Sequence, residues 1–329
     1  MPQSLKNGEV LRERYAIREK IGQGGTGSIY LAEDTRLQGR LCALKEVEHN
    51  QTLPSDIFEQ AREQFFREAS VLARLDHPNL PKVSDYFSEG ARDYLVMDYV
   101  PGKDLRELMQ EAKRNKTFLS ENEVLKWAVQ IADALNYLHH QDPPIIHRDI
   151  KPSNIKIMPS GLVKLVDFGL VKIMAPDEVT ITVIQGQGTA LYTPLEQYGG
   201  DDTHTDPRAD IFSFGATLYH LLTNEPPAEV RKRFLTTRSL IPPSEINPSL
   251  SSHVEKAILW AMSLHPDNRP LNVLALRDAL VGKQEVPSFA SMNGLSFDTP
   301  QITIISSEQI AGYVAAGLFL IGLVTTLVR

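Results

Sequence analysis

The segment IIHRDIKPSN, residues 145–154, carries three functional groups that could act on one substrate. They are the carboxylate of Asp149, the ammonium of Lys151 and the carboxamide of Asn154. Two prolines directly before the segment and one inside it exclude a helix or a central strand, so a bent loop is expected. A loop bent by proline can present all three side chains to one side, where a carboxylate, an ammonium and a carboxamide could act on one polar substrate.

A glycine-rich stretch, GQGGTGSIY, lies far upstream of this loop. Gly22, Gly24 and Gly27 have the G-x-G-x-x-G spacing, which lets backbone N–H groups approach phosphate oxygens. A dinucleotide site would require a helix directly after the glycines, but residues 28–32 continue as a strand. A plain hairpin turn remains the alternative to a phosphate-binding loop.

Two charged residues, Lys45 and Asp167, lie in and directly after predicted apolar strands, and a third, Glu68, lies on a predicted helix. Lys45, in CALKEV, is predicted on a strand with Ala43 on the same face. Glu68 lies near the apolar stripe of a predicted helix, where a buried carboxylate requires a cation. We therefore expect a Lys45–Glu68 ion pair, with a solvated lysine at a strand edge as the alternative. Asp167, in LVDFGL, follows an apolar strand and on its own is also compatible with an ordinary turn.

Composition limits the classes of function. The chain has 329 residues, 42% of them hydrophobic, which is enough for a sizeable core. Its net charge of −7 argues against nonspecific nucleic-acid binding. The single cysteine, Cys42, cannot form an internal disulfide, and the first residues lack the apolar region of a secretory signal.

The hydrophobic pattern predicts a small, mostly β part followed by a larger helical part, with the junction near Val100. The predicted elements are three strands within 15–47, a helix over 56–75, strands near 82–88 and 93–99, a hairpin over 155–158 and 162–166, and an apolar helix over 209–222. Ser120 and Glu123 predict a capping box at the start of another helix.

The C-terminal end has a different character. Residues 310–328 are apolar or small, without charge or proline, and are long enough for a transmembrane helix. A buried core helix is the alternative, but it should show a polar face. Residues 283–309 are rich in Pro, Ser, Gly and Asn and are interpreted as a juxtamembrane linker.

Together these motifs, in this order, resemble the protein kinase family, and most closely the bacterial Ser/Thr kinases of eukaryotic type with a C-terminal transmembrane helix. The resemblance implies an α+β, bilobal fold over residues 15–282, after an N-terminal tail of residues 1–14. The β-rich N-lobe would cover about 15–99 and the helical C-lobe about 104–282. It also implies transfer of the ATP γ-phosphoryl group to Ser or Thr hydroxyls of protein substrates.

The resemblance assigns roles to the residues above. The three glycines would cover the phosphates, and Lys45, held by Glu68, would contact the α- and β-phosphates. Asn154 and Asp167 would hold Mg²⁺, or Mn²⁺ in its place. Asp149 would accept the proton of the substrate hydroxyl, and Lys151 would steady the transferred group. The nucleotide pocket implied by the resemblance further comprises Ile21, Ile29, Ala43, Met97, Asp98, Val100 and Asp104, and the structural residues implied are Thr189, Glu196, Asp210 and Arg269.

Two departures from the family pattern affect these expectations. In GTALYTPLE, Pro194 comes one residue early and Leu195 takes the usual proline position. The Glu196–Arg269 pair is nevertheless expected to form. Lys156 lies where an apolar residue commonly forms the floor under adenine, so we expect a modest loss of ATP affinity.

Regulation and location follow from the same resemblance. Arg148 precedes the catalytic carboxylate, a cation that such kinases often neutralise with a phosphate, and Thr180 and Thr182 are the candidate phosphorylation sites. Autophosphorylation in trans would take place between two copies of the chain, and a homodimer would bring them together. A single membrane span would place the kinase body on the cytoplasmic side of the cell membrane. The alternative function is a nucleotide-binding pseudokinase that acts as a membrane-tethered scaffold.

Overall fold

The computed structural model describes residues 4–24, 27–48, 55–90, 92–167, 172–173, 190–198, 206–236 and 239–287. The chain divides into two units, Met1–Val286 and Pro287–Arg329, and the second lies almost wholly outside the described residues. The predicted membrane span, most of the predicted linker, and Thr180, Thr182 and Thr189 also lie outside them. Within the described ranges, no helix is long and apolar enough to cross a membrane.

The first part of the chain forms a six-stranded sheet in which every neighbouring pair is antiparallel. Its strands are β1 (Val10–Leu11), β2 (Tyr15–Gly24), β3 (Gly27–Asp34), β4 (Leu41–Glu48), β5 (Val83–Glu89) and β6 (Arg92–Asp98), in the order β1-β2-β3-β4-β6-β5. Helix α1 (Ser55–Leu72) connects β4 to β5 and packs against β5 and β6. The predicted strands and helix are therefore confirmed, and β1 is an addition.

The two faces of this sheet differ in composition because side chains alternate along each strand. One face carries a buried aromatic core, in which the ring of Phe87 stacks on Tyr15 at 5.7 Å and on Tyr94 at 5.2 Å between centroids. On the other face, the register places Ile29 opposite Lys45 and Ala43 opposite Met97. The predicted nucleotide-binding residues of the three strands therefore share one face.

The second part of the chain is mainly helical, as predicted. In chain order its elements are β7 (Lys103–Asp104), α2 (Leu105–Arg114), α3 (Glu121–His139), β8 (Ile145–Ile146), β9 (Ile155–Ile157), β10 (Val163–Leu165), β11 (Lys172–Ile173), α4 (Arg208–Thr223), α5 (Val230–Leu235), α6 (Pro243–Ile246), α7 (Ser252–Ala261) and α8 (Val273–Leu280). Every residue of α4 from Ala209 to Tyr219 is buried, so α4 is the centre of this part.

The start of α3 corrects one prediction. Ser120 is the N-cap residue, but its side chain makes no capping hydrogen bond. Its carbonyl instead accepts the backbone N–H groups of Glu123 and Val124, each at 3.0 Å. The predicted side-chain capping box is therefore wrong at this helix, although its position marked the helix start.

The two parts meet where the chain passes from β6 to β7. Gly102 has φ +105°, and a Cβ at this position would collide with the carbonyl of Ile157. Glycine therefore lets the connection run directly against β9. Strand β7 pairs with β9, and β9 pairs with β10, which forms a small sheet beneath the connection.

Candidate active site

A cleft of about 330 Å³ opens between the six-stranded sheet and the small sheet of β7, β9 and β10. This volume is in the range of small-molecule sites. The cleft is lined by Ile21, Gly22, Gln23, Ile29, Ala43, Lys45, Pro81, Met97, Asp98, Tyr99, Val100, Asp104, Arg106, Lys151, Ser153, Asn154, Lys156, Val166 and Asp167. It is apolar at one end and charged at the other.

The apolar end is formed mainly by strands β3, β4 and β6. Ala43, Met97 and Val100 are almost fully buried there, whereas Ile21 is 42% exposed at the rim. The backbone N–H of Asp98 donates to the carbonyl of Lys82 at 2.9 Å, so it cannot also serve a bound base. The chain from Asp98 to Val100 borders this apolar end of the cleft.

The three predicted glycines do not all reach the cleft. Gly22 lines it, whereas Gly24 and Gly27 face each other at the end of the β2–β3 hairpin. Gly27 has φ +152°, and a Cβ there would collide with the carbonyl of Glu46 on β4. Glycine at this position is therefore required by strand packing, independently of any ligand.

Asp104 has a local role that the sequence analysis missed. It is the N-cap of α2, and its Oδ1 accepts the backbone N–H of Glu107 at 2.8 Å. The Glu107 side chain in turn accepts the N–H of Asp104 at 2.8 Å, which completes a capping box. Burial raises the pKa of Asp104 above its ordinary value. The D-x-x-E spacing in KDLRE was the available signal.

Lys156 lies directly opposite Asp104 in the β7–β9 pair, and both side chains line the cleft. The charge of Lys156 opposes the effect of burial on the pKa of Asp104, although burial dominates. The floor of the cleft thus carries a cation where the family pattern has an apolar residue.

At the charged end, the ammonium of Lys45 binds Oδ1 of Asp167. Lys45 is buried, and Asp167 lies two residues beyond the end of the apolar strand β10. Burial raises the pKa of Asp167, but the charge and hydrogen bond of Lys45 outweigh it and hold the pKa below its ordinary value. Glu68 accepts a hydrogen bond from Gln64 at 3.0 Å. The expected Lys45–Glu68 pair stays a prediction.

Asp149, Lys151 and Asn154 converge as the sequence predicts. Oδ2 of Asp149 accepts hydrogen bonds from the Lys151 ammonium and the Asn154 amide, both at 2.8 Å. The same amide donates to the backbone carbonyl of Asp149 at 2.8 Å. Oδ1 of Asp149 is buried and has no hydrogen-bond partner within the described part of the chain. One carboxylate oxygen is thus held in place while the other is left to accept a proton.

The loop that carries these groups, within residues 145–154, is fixed to helix α4 through backbone hydrogen bonds. Asp210, fully buried, accepts the backbone N–H groups of His147 at 2.9 Å and Arg148 at 2.8 Å. His139 also contacts the Asp210 carboxylate at 2.8 Å. These bonds secure Arg148 in a left-handed conformation, φ +66°, that a non-glycine residue rarely adopts. Asp210, one of the structural residues that the resemblance implies, therefore holds the backbone of this loop.

Comparison with known proteins decides the family. The model of the protein kinase domain matches residues 15–278, most of the chain. The chain belongs to the protein kinase family. In this kinase domain, the β-rich part is the N-lobe, the helical part is the C-lobe, and the cleft lies between them.

Known kinases of bacteria resemble the chain over the same region. A probable serine/threonine-protein kinase of Clostridium acetobutylicum is 36% identical over 83% of the chain and 40% of its own length. Serine/threonine-protein kinase PknB of Mycobacterium tuberculosis is 32% identical over 82% of the chain and 43% of its own length. The chain therefore spans about two fifths of these relatives. The crystal structure of the M. tuberculosis PknI kinase domain matches with a TM-score of 0.65 and 27% identity, covering 85% of the chain and 99% of that domain.

The departure at Pro194 and Leu195 does not prevent the expected contact in the kinase C-lobe. The guanidinium of Arg269 binds Glu196 through two bonds, at 2.5 and 3.0 Å. Its other N–H groups donate to backbone carbonyls of Ser263, Leu264 and Arg208. The guanidinium is therefore fully satisfied although its side chain is wholly buried.

Several supporting residues of the kinase C-lobe were not predicted. Thr217 on α4 donates to the carbonyl of Ile150 at 3.1 Å and so fixes the loop a second time. Tyr192 and His220 form a hydrogen bond of 2.6 Å, and burial lowers the pKa of His220 to about 4. None of these contacts has a local sequence signal, because the partners are far apart in the chain.

Proposed function

We propose that the chain is an ATP-dependent serine/threonine protein kinase. The observation that carries this proposal is the arrangement of Asp149, with Oδ2 held by Lys151 and Asn154 and Oδ1 buried without a partner in the described residues. A carboxylate in that state can accept the proton of a substrate hydroxyl.

The residues then act in one step. As Asp149 accepts the hydroxyl proton, the acceptor oxygen forms a bond to the γ-phosphorus. The bond between that phosphorus and the β–γ bridging oxygen breaks, and ADP leaves with the electron pair. Lys151 is close enough to Asp149 to stabilise the charge on the transferred group, and Lys45 supplies a buried cation for the α- and β-phosphates.

The donor set also fits a magnesium ion. Asn154 and Asp167 present a carboxamide oxygen and a carboxylate at the charged end of the cleft, and hard divalent cations prefer oxygen ligands. The lowered pKa of Asp167 keeps its carboxylate ionised at neutral pH. When bound, Mg²⁺, or Mn²⁺ in its place, neutralises charge on the β- and γ-phosphate oxygens.

The nucleotide would occupy the whole cleft. Ile21, Ile29, Ala43 and Met97 form the apolar slot for the base, with backbone groups from Asp98 to Val100 at its edge. Gly22, which lines the cleft, would lie beside the phosphates. Oδ1 of Asp104 is already used in capping α2, so only its Oδ2 is left for the ribose.

The test is Mg²⁺-dependent transfer of label from γ-labelled ATP by the purified full chain to casein. We expect label on Ser and Thr and none on Tyr. Nucleotide binding without transfer to casein or to the chain itself would contradict the proposal and favour the alternative, a nucleotide-binding pseudokinase scaffold.

Autophosphorylation in trans is part of the proposal. A phosphate on Thr180 or Thr182 would add a charge-assisted contact for Arg148, beside Asp149. We expect Thr180→Ala/Thr182→Ala to lower casein phosphorylation by about tenfold, within the roughly 5–150-fold range of couplings between a regulatory and an active site. Thr236→Ala, at an exposed position, is the control. Unchanged casein phosphorylation by the double variant would disprove this role. A rate of autophosphorylation per molecule that does not depend on protein concentration would exclude transfer between copies.

Membrane anchoring by residues 310–328 completes the proposal. The run is long and apolar enough to span a bilayer, and use of ATP requires the kinase domain on the cytoplasmic side. We expect the full chain to resist extraction from membranes by alkaline carbonate. Release into the soluble fraction would contradict the anchor without affecting the proposed catalytic activity.

Lys156 provides a quantitative test of the nucleotide site. In Lys156→Leu, an apolar side chain would replace a cation on the floor, and we expect ATP to bind about two- to fivefold more tightly because contact with the base no longer competes with hydration of the ammonium. Titration with a fluorescent ATP analogue, followed by competition with ATP, measures the change. Lys256→Leu, on an exposed face of α7, should leave the affinity unchanged. Weaker binding in Lys156→Leu would show instead that the ammonium contacts the nucleotide.

A further inference from the structure

Helix α5 presents large apolar side chains to solvent. Phe234 is 65% exposed and Leu235 is 82% exposed, and Ile241 in the following loop is 49% exposed. Single exposed apolar residues are ordinary, but Phe234 and Leu235 are adjacent on one short helix and both are largely exposed. We call Arg231, Lys232, Phe234 and Leu235 the α5 face.

The inner side of the helix explains why these residues point outward. Val230 is 2% exposed, and Arg233 donates to the carbonyl of Met262 at 2.7 Å with its guanidinium 5.8 Å from the Phe212 ring centre. Positions 230 and 233 are neighbours on one side of a helix. Since they are fixed to the C-lobe, Phe234 and Leu235 cannot turn inward without breaking that contact.

The α5 face is also basic, although the chain as a whole has a net charge of −7. Arg231 and Lys232 are exposed beside the apolar side chains. The guanidinium of Arg231 stacks over the ring of Tyr198 at 4.2 Å, which holds its charge at the same surface. Exposed cations next to an aromatic and an aliphatic side chain are the composition that binds the interface of an anionic bilayer.

The segment between the kinase domain and the proposed membrane span, here called the tether, would keep the domain near the membrane. It does not determine which face of the domain makes the contact. In the sequence, 22 residues, 288–309, lie between the described part of the chain and the apolar run. A short tether also gives a high effective concentration, so a weak surface affinity is enough to select one face.

We propose that the α5 face rests on the anionic cytoplasmic leaflet of the membrane that anchors the chain. The contact would orient the kinase domain, and with it the segment of residues 190–198, which adjoins α5 where the Arg231 guanidinium stacks over the Tyr198 ring at 4.2 Å. This proposal rests on the membrane anchor proposed above. It predicts binding through Phe234 and Leu235 together with Arg231 and Lys232.

A label at position 235 tests the contact in the full chain. Cys42 is 1% exposed, so Leu235→Cys creates one reactive thiol among the described residues, and Leu271→Cys gives a matched control at an equally exposed leucine. In nanodiscs containing phosphatidylglycerol, we expect the emission of an environment-sensitive dye at 235 to shift to the blue, and the dye at 271 to stay unchanged. The same emission at 235 in neutral and anionic nanodiscs would overturn the proposal. A shift that requires high protein density would assign the face to a second copy of the chain and would overturn it as well.

The fragment Met1–Val286, a separate unit with its own core, tests the same face without the anchor. We expect it to sediment with phosphatidylglycerol vesicles and to lose at least about fivefold in bound fraction in Phe234→Ser/Leu235→Ser or Arg231→Gln/Lys232→Gln. Arg114→Gln/Lys116→Gln removes two exposed cations at the end of α2 and is the charge-matched control. Equal losses in both charge variants would show nonspecific attraction and contradict a defined face. Carbonate extraction of the full chain reports on the anchor separately.

Discussion

The Asp149→Asn variant is expected to lose phosphoryl transfer by about 10²–10⁴-fold, the range for removal of a general base. Its oxygen can keep the contacts that Lys151 and Asn154 make with Oδ2. An NH₂ group then takes the place of Oδ1, and it cannot accept the proton of a hydroxyl. Since the two side chains have the same shape, the fold and the nucleotide affinity should be retained.

Single-turnover rates with saturating MgATP measure the chemical step directly, and thermal unfolding with ATP titration checks the fold and the binding. Asp133→Asn, which changes a half-exposed carboxylate paired with Arg277, is the control and should keep the wild-type rate. A rate within tenfold of wild type for Asp149→Asn would show that the carboxylate does not act as the base. A raised KM with an unchanged kcat would assign it to substrate binding instead.

Much of the fold was predictable because its signals are local. Short runs rich in β-branched, aromatic and apolar residues marked the strands of the N-lobe, and the strongly apolar run at 209–222 marked α4, which spans Arg208–Thr223. Short elements were missed, among them β1, β7 and the two-residue pair of β8 with β11. Two-residue strands carry almost no sequence pattern, since partners elsewhere in the chain create them.

The site residues likewise divide into those with a local sequence signal and those without one. Asp149, Lys151 and Asn154 lie on one loop, so their convergence followed from proximity in sequence. The partner of Lys45 in the structure, Asp167, is 122 residues away, and helical spacing could offer only Glu68 as a candidate. The contact with Asp167 had no local signal, and the pair with Glu68 stays a prediction.

Removal of the Asp210 carboxylate should destabilise the kinase domain strongly. In Asp210→Ala, the backbone N–H groups of His147 and Arg148 and the ring of His139 lose their acceptor in a fully buried place. An unsatisfied buried polar group costs about 1–3 kcal/mol, so we expect the free energy of unfolding to fall by about 3–5 kcal/mol. Urea unfolding measures it. The surface control Asp133→Ala should cost no more than about 1 kcal/mol.

The Asp210→Asn variant separates stability from positioning. It keeps one acceptor oxygen but turns an NH₂ group toward a donor, so part of the support for the strained Arg148 conformation is lost. We therefore expect a smaller loss of stability than in Asp210→Ala, together with a lower kcat and a nearly unchanged KM for ATP. Wild-type kcat in this variant would show that the backbone bonds support the fold alone.

Acid titration shows whether the ionised Asp210 carboxylate raises or lowers the free energy of unfolding. Burial raises the pKa of Asp210, but the hydrogen bond and charge of His139 and the charge and N–H of His147 outweigh it, so the folded-state pKa lies below the ordinary value. A carboxylate of this kind stabilises the fold above its unfolded pKa of about 4 and loses that contribution as the pH falls through the folded value. The difference in unfolding free energy between wild type and Asp210→Asn should therefore be present at neutral pH and shrink below about pH 4. A difference that instead grew on acidification would mean that the wild-type domain gains stability from a protonated Asp210, which is incompatible with a carboxylate bound to two backbone N–H groups.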